Sequence, residues 1–330
     1  MLKRPKLSNQ TPASRVPQNL PVKDLSGWLR DYEAQQPLVV EGGAARIRYQ
    51  DPENPTQTPF AFLGIHGFSA CRQETAPVTQ RLADDFNANL IEARLAGHGL
   101  TENGMDCAAE DWLASVVDSY DLACRLGEQV ILVGTSTGAP LACWADRKLR
   151  QSYRAPFAHL FMAPNFKINN PFDFLLTMPF AESIVPRLLG RTRSWTPENE
   201  AAARYWTSTY DIQAVIEMQK VVDWFRAQPA RAWTTPMAMM VMDNDPTISA
   251  KAAKRVYQQW QTDDKAHLCI LTEPDAIAHV FAGDIAGPER TEHTIDAFSG
   301  FLKSLIDQPK PAVPAGDTPQ TKRNPHGSHL

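Results

Sequence analysis

The apolar run Gln129-Val130-Ile131-Leu132-Val133 passes directly into Gly134-Thr135-Ser136-Thr137-Gly138, and the chain beyond is rich in alanine and leucine as far as Leu149. This reads as a strand, a sharp turn that carries one serine, and a helix. Glycines on both sides of the turn lack a Cβ, so strand and helix can approach closely while the serine is held strained and exposed. Leu141, Ala142, Ala145 and Leu149 are spaced for one buried helical face. Pro140 falls near the first turn, where a missing N–H costs little because those amides have no intrahelical acceptor. The helix N-terminus points at Ser136, and its free amides favour negative charge there. Ser136 is therefore a candidate nucleophile; the alternative is a buried serine capping an ordinary strand-to-helix turn.

A serine in this position needs a base and an orienting acid, and on a strand–elbow–helix scaffold these follow in the order acid, then histidine. Pro236 to Met242 is an apolar strand that runs into Asp243-Asn244-Asp245-Pro246-Thr247-Ile248-Ser249, which places acids on the loop past a strand end. Ala266 to Thr272 reads as a further strand, followed by a loop that holds Ala278-His279-Val280-Phe281. His66 and His98 precede the serine and suit loops around the mouth of the site. His267 falls inside a predicted strand, and His293 opens the last helix. His279 is the candidate base. Asp243 and Asp245 stand two apart on one loop, and either could reach an imidazole.

Four segments together resemble the α/β-hydrolases of the esterase, monoacylglycerol lipase and serine-aminopeptidase-like group. They are Gly64-Ile65-His66-Gly67-Phe68 after an apolar strand, Arg94-Leu95-Ala96-Gly97-His98-Gly99-Leu100-Thr101, the elbow at Ser136, and the loops of Asp245 and His279. Order and spacing match over roughly residues 38 to 305. The resemblance implies Ser136 as nucleophile, His279 as base and Asp245 as acid, since Asp243 stands where that loop usually holds a small or polar residue. It also implies an oxyanion hole made by the backbone N–H groups of Phe68 and Thr137; His66, beside that amide, and Trp206, in the aromatic-rich insertion, are the expected pocket residues. A mechanism of this kind calls for no cofactor and no metal.

The fold expected is α/β: the α/β-hydrolase fold, a mostly parallel central sheet covered by helices on both faces, with a helical cap inserted. Strands are predicted near 60–65, 89–94, 129–133, 157–163, 237–242 and 266–272, and helices near 75–86, 110–126, 138–150, 250–261 and 291–307. Leu38–Glu41 and Ala45–Tyr49 flank Gly42-Gly43 and predict an opening hairpin. Residues 37–164 and 234–307 form the expected core. Residues 165–233 interrupt the alternation for too long to be an ordinary connection and read as the cap, with 11 of the 29 aromatic residues lying between Phe166 and Trp233. An aromatic lid of that kind would make a dry, apolar pocket over the nucleophile, although most of these rings can equally form the cap's own core.

The ends bear many prolines, four in residues 1–21 and five in 309–330. Residues 1–36 are accordingly expected to be a flexible extension with a short helix, and 308–330 a disordered tail. The basic start, Met1 to Leu7, is not followed by the apolar stretch of a secretory signal, and no segment approaches the length of a membrane span. Five cysteines without a pairing pattern suit a reducing compartment, so the cytoplasm is the expected location. A net charge of −4 offers no footprint for nucleic acid. The expected partner is a small-molecule ester: a short or medium acyl ester, or a monoacylglycerol-like lipid. The same residues could serve a thioesterase or an aminopeptidase-like amide hydrolase, with Glu182, Glu198, Glu200 and Glu217 available in the cap for an amine. A non-catalytic relative that binds a small apolar ligand is the alternative from another class.

Overall fold

The computed structural model describes residues 4–74, 76–102, 104–261, 268–273 and 278–307. Along the chain, α1 (Leu25–Ala34) precedes the short β1 (Arg46–Arg48), and β2 (Thr58–Ile65), α2 (Ala76–Asp85) and β3 (Asn89–Glu92) begin the regular alternation. It continues through α3 (Ala109–Leu126), β4 (Gly127–Thr135), α4 (Gly138–Leu149) and β5 (Ala158–Met162). The insertion follows, with α5 (Ala181–Leu189), β6 (Thr192–Ser194), α6 (Glu200–Tyr205), β7 (Thr209–Asp211) and α7 (Ile212–Arg226). The core resumes with β8 (Met237–Met242), α8 (Ala250–Gln259), β9 (Leu268–Glu273) and α9 (Pro288–Ile306).

Among the described residues, seven strands form one sheet in the order β1-β3-β2-β4-β5-β8-β9, parallel throughout except for β1, which pairs antiparallel with β3. The strands alternate along their length. Ala61, Leu63, Val130, Leu132, Met237 and Met239 pack into the cluster that holds Trp112, Leu141 and Trp144 from α3 and α4. Phe62, Ile131, Val133, Ala238 and Met240 pack into the cluster that holds Val78 and Leu82 from α2 and Phe298 and Leu302 from α9. Both faces are thus buried, which is why these strands read as continuous apolar runs rather than as polar–apolar alternation.

Three features differ from the expectation. The opening hairpin does not form. β1 lies against β3 instead, while Val39 bridges Leu100 and the Val40 N–H donates to the Gly99 carbonyl at 2.8 Å. The insertion is not purely helical, because β6 and β7 pair as an antiparallel ribbon. The N-terminal residues from Arg4 onward lie on the core rather than outside it. Leu7 and Val16 are buried, Ser14 Oγ donates to Asp121 at 2.6 Å, and Arg15 Nε donates to Asp118 at 2.6 Å. Asp118 and Asp121 share a face of α3 one turn apart, so the segment finds a charged track that its own composition does not announce. The predicted tail, 308–330, and His267 lie outside the described residues.

An aromatic stack fastens the insertion to the core. Phe166 stacks on Phe225 at 4.3 Å between centroids, Phe225 on Trp233 at 5.0 Å, and Trp233 on Trp260 at 5.7 Å. These rings come from the two ends of the insertion, from α7 and from the residue after α8. Other rings expected in a lid, Phe172, Phe174, Phe180 and Trp195, are exposed. Phe225→Ala is expected to destabilise the protein by about 3–5 kcal/mol, as for other large buried aromatics; a shift in the midpoint of urea unfolding at unchanged slope measures it.

Candidate active site

Ser136 stands at the tip of the turn between β4 and α4 with φ of 49°, in the left-handed region. For a serine this conformation is strained, so the surroundings must impose it. The Ser136 N–H donates to the Met162 carbonyl at 2.9 Å, and its own carbonyl accepts from Asn165 N–H at 2.9 Å and from Ala139 N–H at 3.1 Å. The flanking glycines are required by closeness. A Cβ on Gly138 would lie 2.1 Å from the Ile65 carbonyl oxygen, and one on Gly134 would lie 2.8 Å from the Ala139 backbone.

The loop after β9 brings His279 to this serine. Nε2 lies 2.9 Å from Ser136 Oγ, and Nδ1 lies 2.8 Å from Asp245 Oδ2. The other carboxylate oxygen of Asp245 accepts from Thr247 N–H at 2.7 Å and Ile248 N–H at 2.9 Å, which locks the acid's orientation. Asp243, two residues earlier, turns away to Lys254 on α8 at 2.6 Å. An imidazole so placed can take the hydroxyl proton while the carboxylate fixes its tautomer.

Opposite the elbow, the loop after β2 is fixed from within. His66 Nδ1 donates to the Gly67 carbonyl at 2.8 Å, and His66 Nε2 accepts from Leu95 N–H at 3.1 Å. Both ring nitrogens are engaged, so His66 shapes the loop and has no polar atom left for a ligand. Burial lowers its pKa to about 4, which keeps it neutral. His98 packs 5.1 Å from it and 5.3 Å from Trp112; its Nδ1 donates to the Ala96 carbonyl, and burial holds its pKa well below the usual imidazole range. His293 is exposed on α9.

The Gly67 N–H is already committed, donating to Glu74 Oε2 at 2.7 Å. Among the described residues, the N–H groups of Phe68 and Thr137 donate to none, and Thr137 lies at the N-terminus of α4. The insertion reaches this loop: the Thr207 N–H donates to the Ser69 carbonyl at 2.7 Å, and the Tyr210 ring meets Phe68 edge-on at 5.1 Å. Trp206, half-buried, immediately precedes that contact. Glu217, one of the acids available for an amine, instead accepts from Ala109 N–H and pairs with Lys220 at 2.7 Å. Cys71 is buried, and its thiol is pushed up to about 11, which argues against a nucleophilic role.

Residues 62–280 match the model of the alpha/beta hydrolase family, and the chain belongs to that family. No curated protein matches the sequence. Among solved structures, one from the pair of metagenome-derived lipolytic enzymes LipS and LipT is similar with a TM-score of 0.63 at 14% identity, covering 81% of this chain and 99% of that one. A monoacylglycerol lipase of Paleococcus ferrophilus gives a TM-score of 0.56 at 15% identity, over 76% of this chain and 97% of that one. A soluble variant of the monoglyceride lipase of Saccharomyces cerevisiae gives 0.56 at 12% identity, over 80% and 91%. At these identities the likeness is one of fold.

Sequence reasoning missed Asn165, whose side-chain amide reaches Thr137 Oγ1 at 3.3 Å. It also missed Glu33 on α1, which pairs with Arg94 at 2.6 Å, while Arg94 in turn donates to the His98 carbonyl. Glu74 was missed as well; its only sequence signal is an acid within reach of the His-Gly-Phe loop. Burial raises the Glu74 pKa to about 7 from the ordinary 4.5, with the Gly67 hydrogen bond and His279 opposing. A raised folded-state pKa contributes stability that is complete below the ordinary carboxyl value and is lost as pH rises to about 7, after which nothing more is lost. The loss amounts to about 3 kcal/mol. Glu74→Gln is therefore expected to lose less stability than wild type between pH 4.5 and 7.5, measured by urea unfolding across that range.

Proposed function

We propose that this protein is a serine hydrolase that cleaves carboxylic esters, of short to medium acyl chains or of monoacylglycerol-like lipids, through an acyl-enzyme on Ser136. The observation that carries the reading is the continuous hydrogen-bonded line from Ser136 Oγ through His279 to Asp245, at 2.9 and 2.8 Å. In this mechanism Oγ attacks the ester carbonyl as His279 takes its proton, and Asp245 stabilises the imidazolium. The tetrahedral oxyanion is received by the N–H groups of Phe68 and Thr137, which donate to no other group among the described residues, whereas the Gly67 N–H is taken by Glu74. His279 then protonates the departing alcohol. Water repeats the sequence on the acyl-enzyme and releases the acid.

An ester is favoured over an amide with a charged amine by what surrounds the loop. Phe68, backed by the buried Trp112, and Tyr210 bring apolar rings together there, while Glu217 is consumed by Lys220 and the Ala109 N–H. We read residues 165–233 as a cap, closed onto the loop through Thr207 and Tyr210. The similarity in fold to lipolytic enzymes and monoacylglycerol lipases supports the same reading.

Hydrolysis of p-nitrophenyl esters from acetate to palmitate tests it. Ser136→Ala and Asp245→Asn are expected to lower kcat by about 10³- to 10⁴-fold, while Asp243→Asn, whose side chain faces Lys254, stays within about threefold. A marked preference for acyl-CoA over these esters would move the assignment to thioesters. Folded wild-type protein that turns over no ester and takes no fluorophosphonate label at Ser136 would instead be a ligand-binding relative.

A further inference from the structure

Glu74 is 2% exposed and, among the described residues, pairs with no lysine or arginine. A buried carboxyl without a cation is costly to keep. Its position is specific. The point where a Cβ on Gly67 would stand lies 3.0 Å from Ser136 Cβ and 3.1 and 3.2 Å from the two carboxylate oxygens of Glu74. Ser136 and the Glu74 carboxylate therefore flank the same narrow gap, which only a glycine leaves open. Among the described residues, the hydrogen bond that crosses from Glu74 to the loop, Gly67 N–H to Oε2 at 2.7 Å, holds the His66–Gly67 peptide, the neighbour of the peptide that carries the Phe68 N–H.

Resting on the hydrolase reading, we propose that Glu74 is a positioning residue of the Ser136 site: its ionised carboxylate grips the Gly67 N–H and thereby aims the Phe68 N–H at the developing oxyanion. A charged acceptor makes a shorter and stronger bond than a neutral one, so ionisation of Glu74 tightens the loop. The same charge favours the imidazolium that His279 becomes during acyl transfer, and the two groups feel one another. Glu74 itself exchanges no proton with substrate.

The ionisable groups around Glu74 leave this effect to Glu74 and His279. Cys71, on its own turn, stays a neutral thiol with its pKa near 11. Arg72, also on that turn, points away to the Ala44 carbonyl and to Glu92. His66, beside Gly67, is held neutral by burial. A pH-dependent step in acyl transfer centred near pH 7, additional to the requirement for a neutral His279, follows from the Glu74 value of about 7.

The rate of Ser136 labelling by a fluorophosphonate, measured from pH 5.5 to 9 in wild type, Glu74→Gln and Glu74→Asp, tests the proposal, because labelling needs the same attack and oxyanion contacts whatever the natural substrate. The glutamine variant keeps the shape and an acceptor oxygen but not the charge. Its labelling rate at pH 8 should fall roughly tenfold, the difference between a charged and a neutral hydrogen bond. Its profile should also lose the step near pH 7, while its melting temperature at pH 8 equals or exceeds that of wild type. The aspartate variant, charged but one methylene shorter, should retain a pH-dependent step. Superimposable wild-type and glutamine profiles at equal rates would overturn the role, as would a rate loss explained by unfolding at pH 8. If folded wild type is not labelled at any pH, the hydrolase reading fails and this inference fails with it; labelled wild type with an indifferent glutamine variant sinks this inference alone.

Discussion

A strained serine cannot hold itself. Ser136 adopts φ of 49° because the sheet and the following helix leave it no other course. β4 delivers the turn between β2 and β5, the end of β5 accepts its N–H through Met162, and α4 starts so close to β2 that Gly138 nearly touches the Ile65 carbonyl. Local conformational strain of this kind persists only where the neighbouring structure over-determines it. The parallel sheet is thus the constraint from which the site follows: its strand ends carry the serine, the acid and the histidine to one edge, and its covered faces keep that edge rigid.

Around this edge the protein places a second set of supports drawn from distant parts of the chain. Glu33 on α1 pairs with Arg94, and Arg94 holds the His98 carbonyl, so the N-terminal segment stiffens the turn that backs His66. The insertion enters and leaves through the aromatic stack of Phe166, Phe225, Trp233 and Trp260, yet it touches the His66–Ser69 loop through Thr207 and Tyr210. One end of the insertion is anchored in the core and another leans on the loop that faces the serine.

The electrostatics of this region are set by burial more than by pairing. His66 and His98 are forced neutral, and the Glu74 pKa is raised to about 7, so the charge beside the loop opposite the serine is that of Glu74 and depends on pH. Asp245, by contrast, has its carboxylate satisfied by two backbone N–H groups and by His279. A dry surrounding of this sort makes each remaining dipole more effective than it would be in water.

Much of this was legible in the sequence because it is written locally. The strand–elbow–helix around Ser136, the five helices and six strands of the core, and the order of an elbow serine, an acid loop and a histidine loop follow from apolar runs, glycines and loop residues read within short windows, while Asp245 as the acid is what the family resemblance implied. The rest depends on which polar groups meet once the chain has folded, from Gly67 and Glu74 seven residues apart to Ser14 and Asp121 more than a hundred apart. Whether Asp243 or Asp245 faces the imidazole turns on Lys254, which draws the former away. Whether Gly67 or Phe68 keeps a free N–H turns on Glu74. β1 leaves Leu38–Glu41 for β3, and residues from Arg4 onward settle on Asp118 and Asp121 of α3, because periodicity marks which side of an element is apolar but not which distant polar group will satisfy it. The sequence by itself determined the scaffold and the order of its reactive groups; only the packed tertiary structure decided their partners, since a hydrogen bond or ion pair between residues a hundred positions apart exists only once the sheet has brought them together.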